Sequence, residues 1–172
     1  MRFTGIVGQS LPNGIDFALE LTAIRWRHGD PKGMSMPNAE LARLQALMVK
    51  AAITGSALPG IDRNLDFPDL AAHRQSAEKY VSSENLEIPH ELGVLADVLP
   101  QDGIAQKAVE LGPFPFLRFQ PPSQSGDRIG LSLQLMTGFD DVEPLALGAM
   151  VATFEKRGDG WIAVEPTHVL AY

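Results

Sequence analysis

Residues 37–55 read PNAELARLQALMVKAAITG, and this stretch has the strongest helical pattern in the chain. Apolar side chains recur there at the spacing of one helix face; they are Leu41, Leu44, Met48, Ala51 and Ala52, with Leu47 beside them. Ser35 can cap the helix, Pro37 suits a first turn, and Gly55 can adopt the left-handed conformation that ends it. The polar side is narrow and consists of Glu40, Arg43, Gln45 and Lys50. We therefore predict a helix over residues 37–54 that lies across one face of a sheet.

Three more helices are predicted after this one. Residues 67–82 follow the capping residue Asp66 and carry a helical repeat that includes Leu70, His73, Ala77 and Tyr80 or Val81. Residues 89–98 lie between Pro89 and Pro100, and residues 103–111 lie between Asp102 and Gly112. Residues 37–111 are therefore expected to form a helical middle.

Both flanks of this middle have the patterns of β-strands. Residues 2–8 and 15–27 are predicted as two strands joined by Ser10–Gly14, whose Asn-Gly pair suits a tight turn. In the C-terminal third, residues 114–120 and 128–137 predict one hairpin, and residues 147–156 and 161–171 predict another. Pro113 and Pro115 cannot donate a backbone hydrogen bond, so the strand they belong to is predicted at a sheet edge.

This order of elements predicts an α+β fold. The expected sheet is antiparallel, consists of the N-terminal hairpin and the two C-terminal hairpins, and packs against the central helical segment. A chain of 172 residues suits one domain over 1–172, since about 150 residues can bury roughly 70% of the unfolded surface. The predicted strands cover about 2–27 and 114–171, and the helical middle covers about 37–111.

The composition excludes several classes of protein. There is no cysteine, so disulfide scaffolds and thiolate metal sites are ruled out. The net charge is −7, which disfavours nucleic-acid binding through a basic face. The chain has no apolar run long enough for a secretory signal or a membrane span, so we expect a cytoplasmic protein without a membrane partner.

The acidic charge is concentrated in the middle of the chain. Residues 60–110 contain ten acidic and four basic side chains, a net charge of −6, whereas residues 1–59 carry +2 and residues 111–172 carry −3. A surface of this kind suits a basic partner, because complementary charge accelerates association and favours one partner over another.

The sequence contains no recognisable motif for catalysis, cofactor binding or metal binding. The phosphate-binding glycine motifs are missing, and His90-Glu91 has Val94 where the second histidine of a zinc helix would stand. No catalytic residue, cofactor or metal site is predicted.

Four residues remain as candidates for a ligand pocket. His28 and Asp30 lie in a glycine- and proline-rich loop, for which an ordinary turn is the preferred explanation. His73 and Tyr80 lie on a predicted helical face, and for His73 we favour a hydrogen-bonded position in the core.

These observations favour a non-enzymatic cytosolic protein-interaction module that binds another protein, with a basic partner favoured, through an acidic helical surface. Small acidic proteins that neutralise a toxin or chaperone an effector fit this description by analogy. The expected partner-binding residues are Asp62, Glu84, Glu87 and Glu91. One alternative is a small-molecule-binding protein or enzyme with a pocket between the helices and a curved sheet, lined by His28, Asp30, His73 and Tyr80. Another alternative is an assembly subunit of a larger particle.

Overall fold

The computed structural model describes residues 37–61, 68–87, 90–138 and 144–171, and for residues 90–91 and 165–171 it describes the backbone. All of these belong to one compact unit that spans Pro31–Tyr172. The predicted strands over 2–8 and 15–27, the cap Ser35 and the candidates His28 and Asp30 lie outside the described residues. The N-terminal hairpin and the single domain over 1–172 therefore stay predictions.

The described residues form three α-helices and a mixed sheet of seven strands, so the predicted α+β class is confirmed. The helices are α1 (Asn38–Thr54), α2 (Pro68–Gln75) and α3 (Gln101–Leu111), and a 3-10 helix covers His90–Val94. The strands are β1 (Tyr80–Ser82), β2 (Asp97–Leu99), β3 (Phe114–Phe119), β4 (Ser123–Ser125), β5 (Arg128–Gly138), β6 (Leu145–Arg157) and β7 (Gly160–Ala171). Their order is β2-β1-β3-β5-β6-β7, and β4 pairs with the start of β5.

Helix α1 closely matches its prediction. It begins after Pro37 and ends at Gly55, which has a φ of +74° and donates its backbone N–H to the carbonyl of Ala51. The guanidinium of Arg74 also donates to the carbonyls of Ala52, at 2.5 Å, and Ala51, at 3.3 Å. Because the last carbonyls of a helix lack partners within it, this cation stabilises the C-terminus of α1.

The predicted helical middle is wrong in two places. Helix α2 ends at Gln75, and residues 80–82 form β1 instead of continuing the helix. Residues 90–94 form a 3-10 helix, and residues 97–99 form β2. These short strands pair in parallel with each other, and β1 also pairs in parallel with β3. The sheet is therefore mixed, not purely antiparallel.

The strand that contains Pro115 lies inside the sheet, so its predicted edge position is wrong. β3 pairs with β5 along its whole length and with β1 at one register position, Val81 opposite Leu117. Because β1 is so short, it does not need a backbone hydrogen bond from Pro115, which has no N–H to donate. The antiparallel pairs β3–β5, β5–β6 and β6–β7 form the rest of the sheet.

The two faces of the sheet belong to two hydrophobic clusters. In the first core cluster, α1 packs on Val81, Leu117, Phe119 and alternate residues of β5 and β6. In the second core cluster, Ile104 and Ala108 of α3 pack with Tyr80, Phe114, Phe116 and Met136. Successive side chains of a strand point to opposite faces, so α1 and α3 cover opposite faces of the sheet.

Gln45 is buried, although the sequence pattern assigned it to the polar side of α1. Its side chain is 0% exposed, and its amide donates to the carbonyl of Asn85 at 2.6 Å and accepts from the backbone N–H of Glu87 at 2.8 Å. Asn85 has a φ of +55° and donates its own side-chain amide to the carbonyl of Phe119. Gln45 thereby connects α1 to the loop that follows β1.

We expect Leu44→Ala to lower the free energy of unfolding by about 2–5 kcal/mol, because it leaves a cavity in the first core cluster. Leu44 is 1% exposed. The measurement is urea denaturation, and Arg43→Ala is the control, since Arg43 is exposed on the same helix and its loss should change stability by less than about 0.5 kcal/mol. Equal effects of the two substitutions would contradict the packing of α1.

Gln45→Leu should cost about 1–3 kcal/mol, because it leaves the Glu87 N–H and the Asn85 carbonyl without their partner. Hydrogen exchange at the Glu87 amide should also accelerate. Gln106→Leu is the matched control, since Gln106 is exposed on α3. An unchanged exchange rate at Glu87 in Gln45→Leu would show that the hydrogen bond does not protect this loop.

Candidate functional site

The acidic residues predicted to bind a partner are only partly described. Glu84 is exposed in the loop after β1, and its carboxylate lies 3.9 Å from the guanidinium of Arg118. Glu87 is half-buried and is held by the hydrogen bond of its backbone N–H to Gln45. Asp62 and the side chain of Glu91 lie outside the described residues. The structure thus places Glu84 and Glu87 on one loop, but it shows no contact between their carboxylates.

A different set of carboxylates surrounds Tyr80. The Tyr80 hydroxyl donates a hydrogen bond to the carboxylate of Glu78. This hydrogen bond, burial, and then the negative charges of Glu78, Asp97 and Glu110 raise the pKa of Tyr80 to about 12. Tyr80 is therefore a hydrogen-bond donor at neutral pH. We call Glu78, Asp97 and Glu110 the acidic rim; all three are exposed.

The acidic rim adjoins a cavity of about 270 Å³, called here the Tyr80 cavity. Its lining residues are Ser76, Ala77, Glu78, Tyr80, Leu111, Phe114 and Pro115. Two cations lie nearby. The ammonium group of Lys107 is 5.8 Å from the centre of the Tyr80 ring and 3.6 Å from the Glu110 carboxylate, and the ammonium group of Lys79 donates to the carbonyl of Ser76, which lines the cavity. The three carboxylates outnumber these two ammonium groups, so the surroundings of Tyr80 favour a further positive charge.

Apolar side chains are exposed at the same end of α3. Leu111, which lines the Tyr80 cavity, is 53% exposed, and Val109 is 67% exposed. Val109 is two residues from Leu111 on the helix and therefore faces another direction. Leu111 and the acidic rim form a mixed acidic and apolar surface.

Sequence reasoning missed the acidic rim as a site. Its residues lie in the acidic middle third, which was the available signal, but they come from the segment after α2, from β2 and from α3. The spacing between residues 78, 97 and 110 has no period that would bring them together. The three residues of the acidic rim come together because β2 lies beside β1 and α3 packs over the sheet.

A second cavity, of about 250 Å³, lies beside His73 and is called here the His73 cavity. Its lining comes from α2, from the start of β3, from β5 and from β6; the residues are Asp69, Ala72, His73, Pro113, Phe114, Pro115, Thr137 and Leu147. Phe114 and Pro115 therefore border both cavities. The candidates His73 and Tyr80 lie in neighbouring cavities and do not share one deep pocket.

His73 is buried as predicted for a core histidine, but the predicted hydrogen bond is not found. The residue is 2% exposed, and neither ring nitrogen has a partner in the part of the chain that the structure describes. Burial, followed by the positive charges of Lys79 and Arg74, lowers the pKa of His73 from 6.5 to about 4. The imidazole is therefore neutral at pH 7. A buried polar group without a partner costs about 1–3 kcal/mol.

The remaining chemistry of the described residues is limited. Within residues 37–61, 68–87, 90–138 and 144–171 there is no group of three or more metal-binding side chains. The helices of these ranges are too short or too polar to cross a membrane. Glu155 is held by Arg128 and Arg157, whose hydrogen bonds to its carboxylate lower its pKa.

We expect acid to destabilise the protein through His73. The unfolded chain takes up this proton near pH 6.5 and the folded chain near pH 4, so the unfolded state binds more protons between these values. The contribution of the neutral His73 to the free energy of unfolding is fully present above pH 6.5 and is lost as the pH falls from 6.5 to 4. The difference between the two pKa values corresponds to about 3 kcal/mol. The measurement is the free energy of unfolding against pH for the parent and for His73→Phe.

The difference between these two proteins isolates His73, because the carboxylates and the other histidines titrate in both. The stability of His73→Phe should vary less between pH 4 and pH 6.5. Parallel curves for the two proteins would contradict the lowered pKa of His73.

Comparisons with known proteins identify no similar protein whose function could be transferred to this chain. The chain matches no protein-family model, no curated protein and no solved structure. The candidate site is therefore described by its own geometry: an acidic rim with exposed apolar residues at the Tyr80 cavity, and a buried imidazole at the His73 cavity.

Proposed function

We propose that this protein is a non-enzymatic interaction module that binds a basic protein partner through the acidic rim and the exposed end of α3. The observation that carries this proposal is the position of three carboxylates near Tyr80. Glu78 accepts from the Tyr80 hydroxyl, Asp97 lies opposite Tyr80 in the register of β1 and β2, and Glu110 pairs with the Lys107 ammonium group beside the Tyr80 ring. Neutralisation of a basic toxin or chaperoning of a secreted effector would use such a surface. This is the role that the acidic middle third of the sequence favours.

The Tyr80 cavity provides a place for a basic side chain of the partner. Aromatic rings attract cations over their faces, and Lys107 already occupies such a position beside the Tyr80 ring. A lysine or arginine side chain of the partner would find the Glu78 carboxylate, the Tyr80 ring and the Phe114 ring in one cavity of about 270 Å³. The exposed side chain of Leu111, which lines this cavity, would be buried in the same interface.

The experiment measures association rate against salt concentration with a basic partner captured by the full chain. Capture alone does not support the proposal. The double variant Asp97→Lys, Glu110→Lys should slow association about tenfold or more, because it replaces attraction by repulsion at the rim. In the parent, association should also slow as salt rises, since the Debye length falls from about 30 Å at 0.01 M to about 8 Å at 0.15 M.

The matched control is Asp127→Lys, Asp159→Lys, which changes the net charge by the same amount at two exposed turns. This control should associate much faster than the rim variant. Equal slowing by both variants would show that net charge alone steers the partner. An association rate independent of salt and of the rim would overturn the proposal.

A further inference from the structure

The His73 cavity has the size and lining of a site for a small molecule. It is open to solvent on one side, and its volume of about 250 Å³ lies just below the usual range for drug-sized ligands. Three of its eight lining residues are Pro113, Phe114 and Pro115, and Leu147 and Ala72 add further apolar surface. A compact molecule with a mainly apolar body fits this lining.

His73 provides a polar contact for such a molecule. It is 2% exposed and lines the cavity, and both ring nitrogens lack a partner among the residues that the structure describes. Native proteins rarely leave buried polar groups unpaired. Both nitrogens are buried in the observed rotamer, so rotation about the Cβ–Cγ bond must turn one of them toward the cavity. An occupant with a hydroxyl or carbonyl group then gives the imidazole a partner.

The charges around the cavity favour a neutral occupant. The neutral imidazole has one nitrogen that donates and one that accepts a hydrogen bond. Lys79 and Arg74 lie near His73 and disfavour an added positive charge, whereas the carboxylate of Asp69 lines the cavity and disfavours an anion. The hydrogen bonds of Arg74 to Ala51 and Ala52 hold its guanidinium at the end of α1.

We propose that the His73 cavity binds a small neutral molecule with an apolar body and one hydroxyl or carbonyl group that hydrogen-bonds to the His73 imidazole. This site uses none of the carboxylates of the acidic rim, although it shares the wall of Phe114 and Pro115 with the Tyr80 cavity, and it would act as a second ligand site of the same protein.

The test uses two hydroxyl compounds, called here the alcohols, and the hydrocarbons that match them in shape: phenol with toluene, and benzyl alcohol with ethylbenzene. Binding to the full chain is followed by the ¹³C-labelled histidine resonances and by calorimetry, and the His73 signal is assigned with His73→Phe. At least one alcohol should bind about fivefold or more tightly than its hydrocarbon, as one added hydrogen bond predicts, and should shift the His73 resonance. The substitution His73→Phe should remove this preference.

A second variant keeps the test independent of His73 itself. Ala72 is exposed on α2 and lines the cavity, so Ala72→Leu should fill part of it and weaken binding about tenfold without disturbing the core. The matched control is Ala105→Leu on the exposed side of α3, which should leave the affinity unchanged. Absence of binding by all four compounds at millimolar concentration would overturn the proposal. Equal affinity for each alcohol and its hydrocarbon, or equal effects of Ala72→Leu and Ala105→Leu, would also overturn it.

Discussion

Burial of β3 on both of its faces is the constraint on which the rest of the described structure depends. Leu117 and Phe119 belong to the first core cluster under α1, whereas Phe114 and Phe116 belong to the second core cluster under α3. Since neighbouring residues of a strand point to opposite faces, these apolar side chains can be buried only if both faces are covered. A strand at the sheet edge with one solvated face would leave half of them in water.

The same constraint creates the two cavities. β1 must lie beside β3, which places Tyr80 against the Phe114 ring, with ring centres 5.2 Å apart in an edge-to-face arrangement. On the other side Phe114 lies opposite Gly138, and a Cβ atom at Gly138 would come within 3.1 Å of this ring. The absence of a side chain there lets the ring pack on β5. Phe114 and the neighbouring Pro115 then form a shared wall between the Tyr80 cavity and the His73 cavity.

The acidic charge of the chain has different roles in different places. Glu155 is paired with two arginines on β6 and on its neighbour β5, and Glu84 lies beside Arg118. Such surface pairs contribute little to stability. At the acidic rim Glu110 is likewise paired, with Lys107, whereas Glu78 accepts from the Tyr80 hydroxyl and Asp97 has no ion pair among the described residues. The rim therefore keeps carboxylates that a partner can use, which is why it carries the proposed function.

The sequence by itself determined the elements that local patterns specify. The helical period and Gly55 predicted α1 almost to the residue, and the pattern of residues 128–137 predicted the strand β5, whose Leu131, Leu133 and Leu135 belong to the first core cluster. Tertiary structure alone decided that residues 80–82 and 97–99 are strands, because three residues have no readable period and gain their hydrogen bonds from a distant partner. It also decided that Gln45 is buried, since its partners are backbone groups 40 and 42 residues away in sequence. The acidic rim and the unpaired imidazole of His73 depend on the same long-range packing, so no local pattern could reveal them.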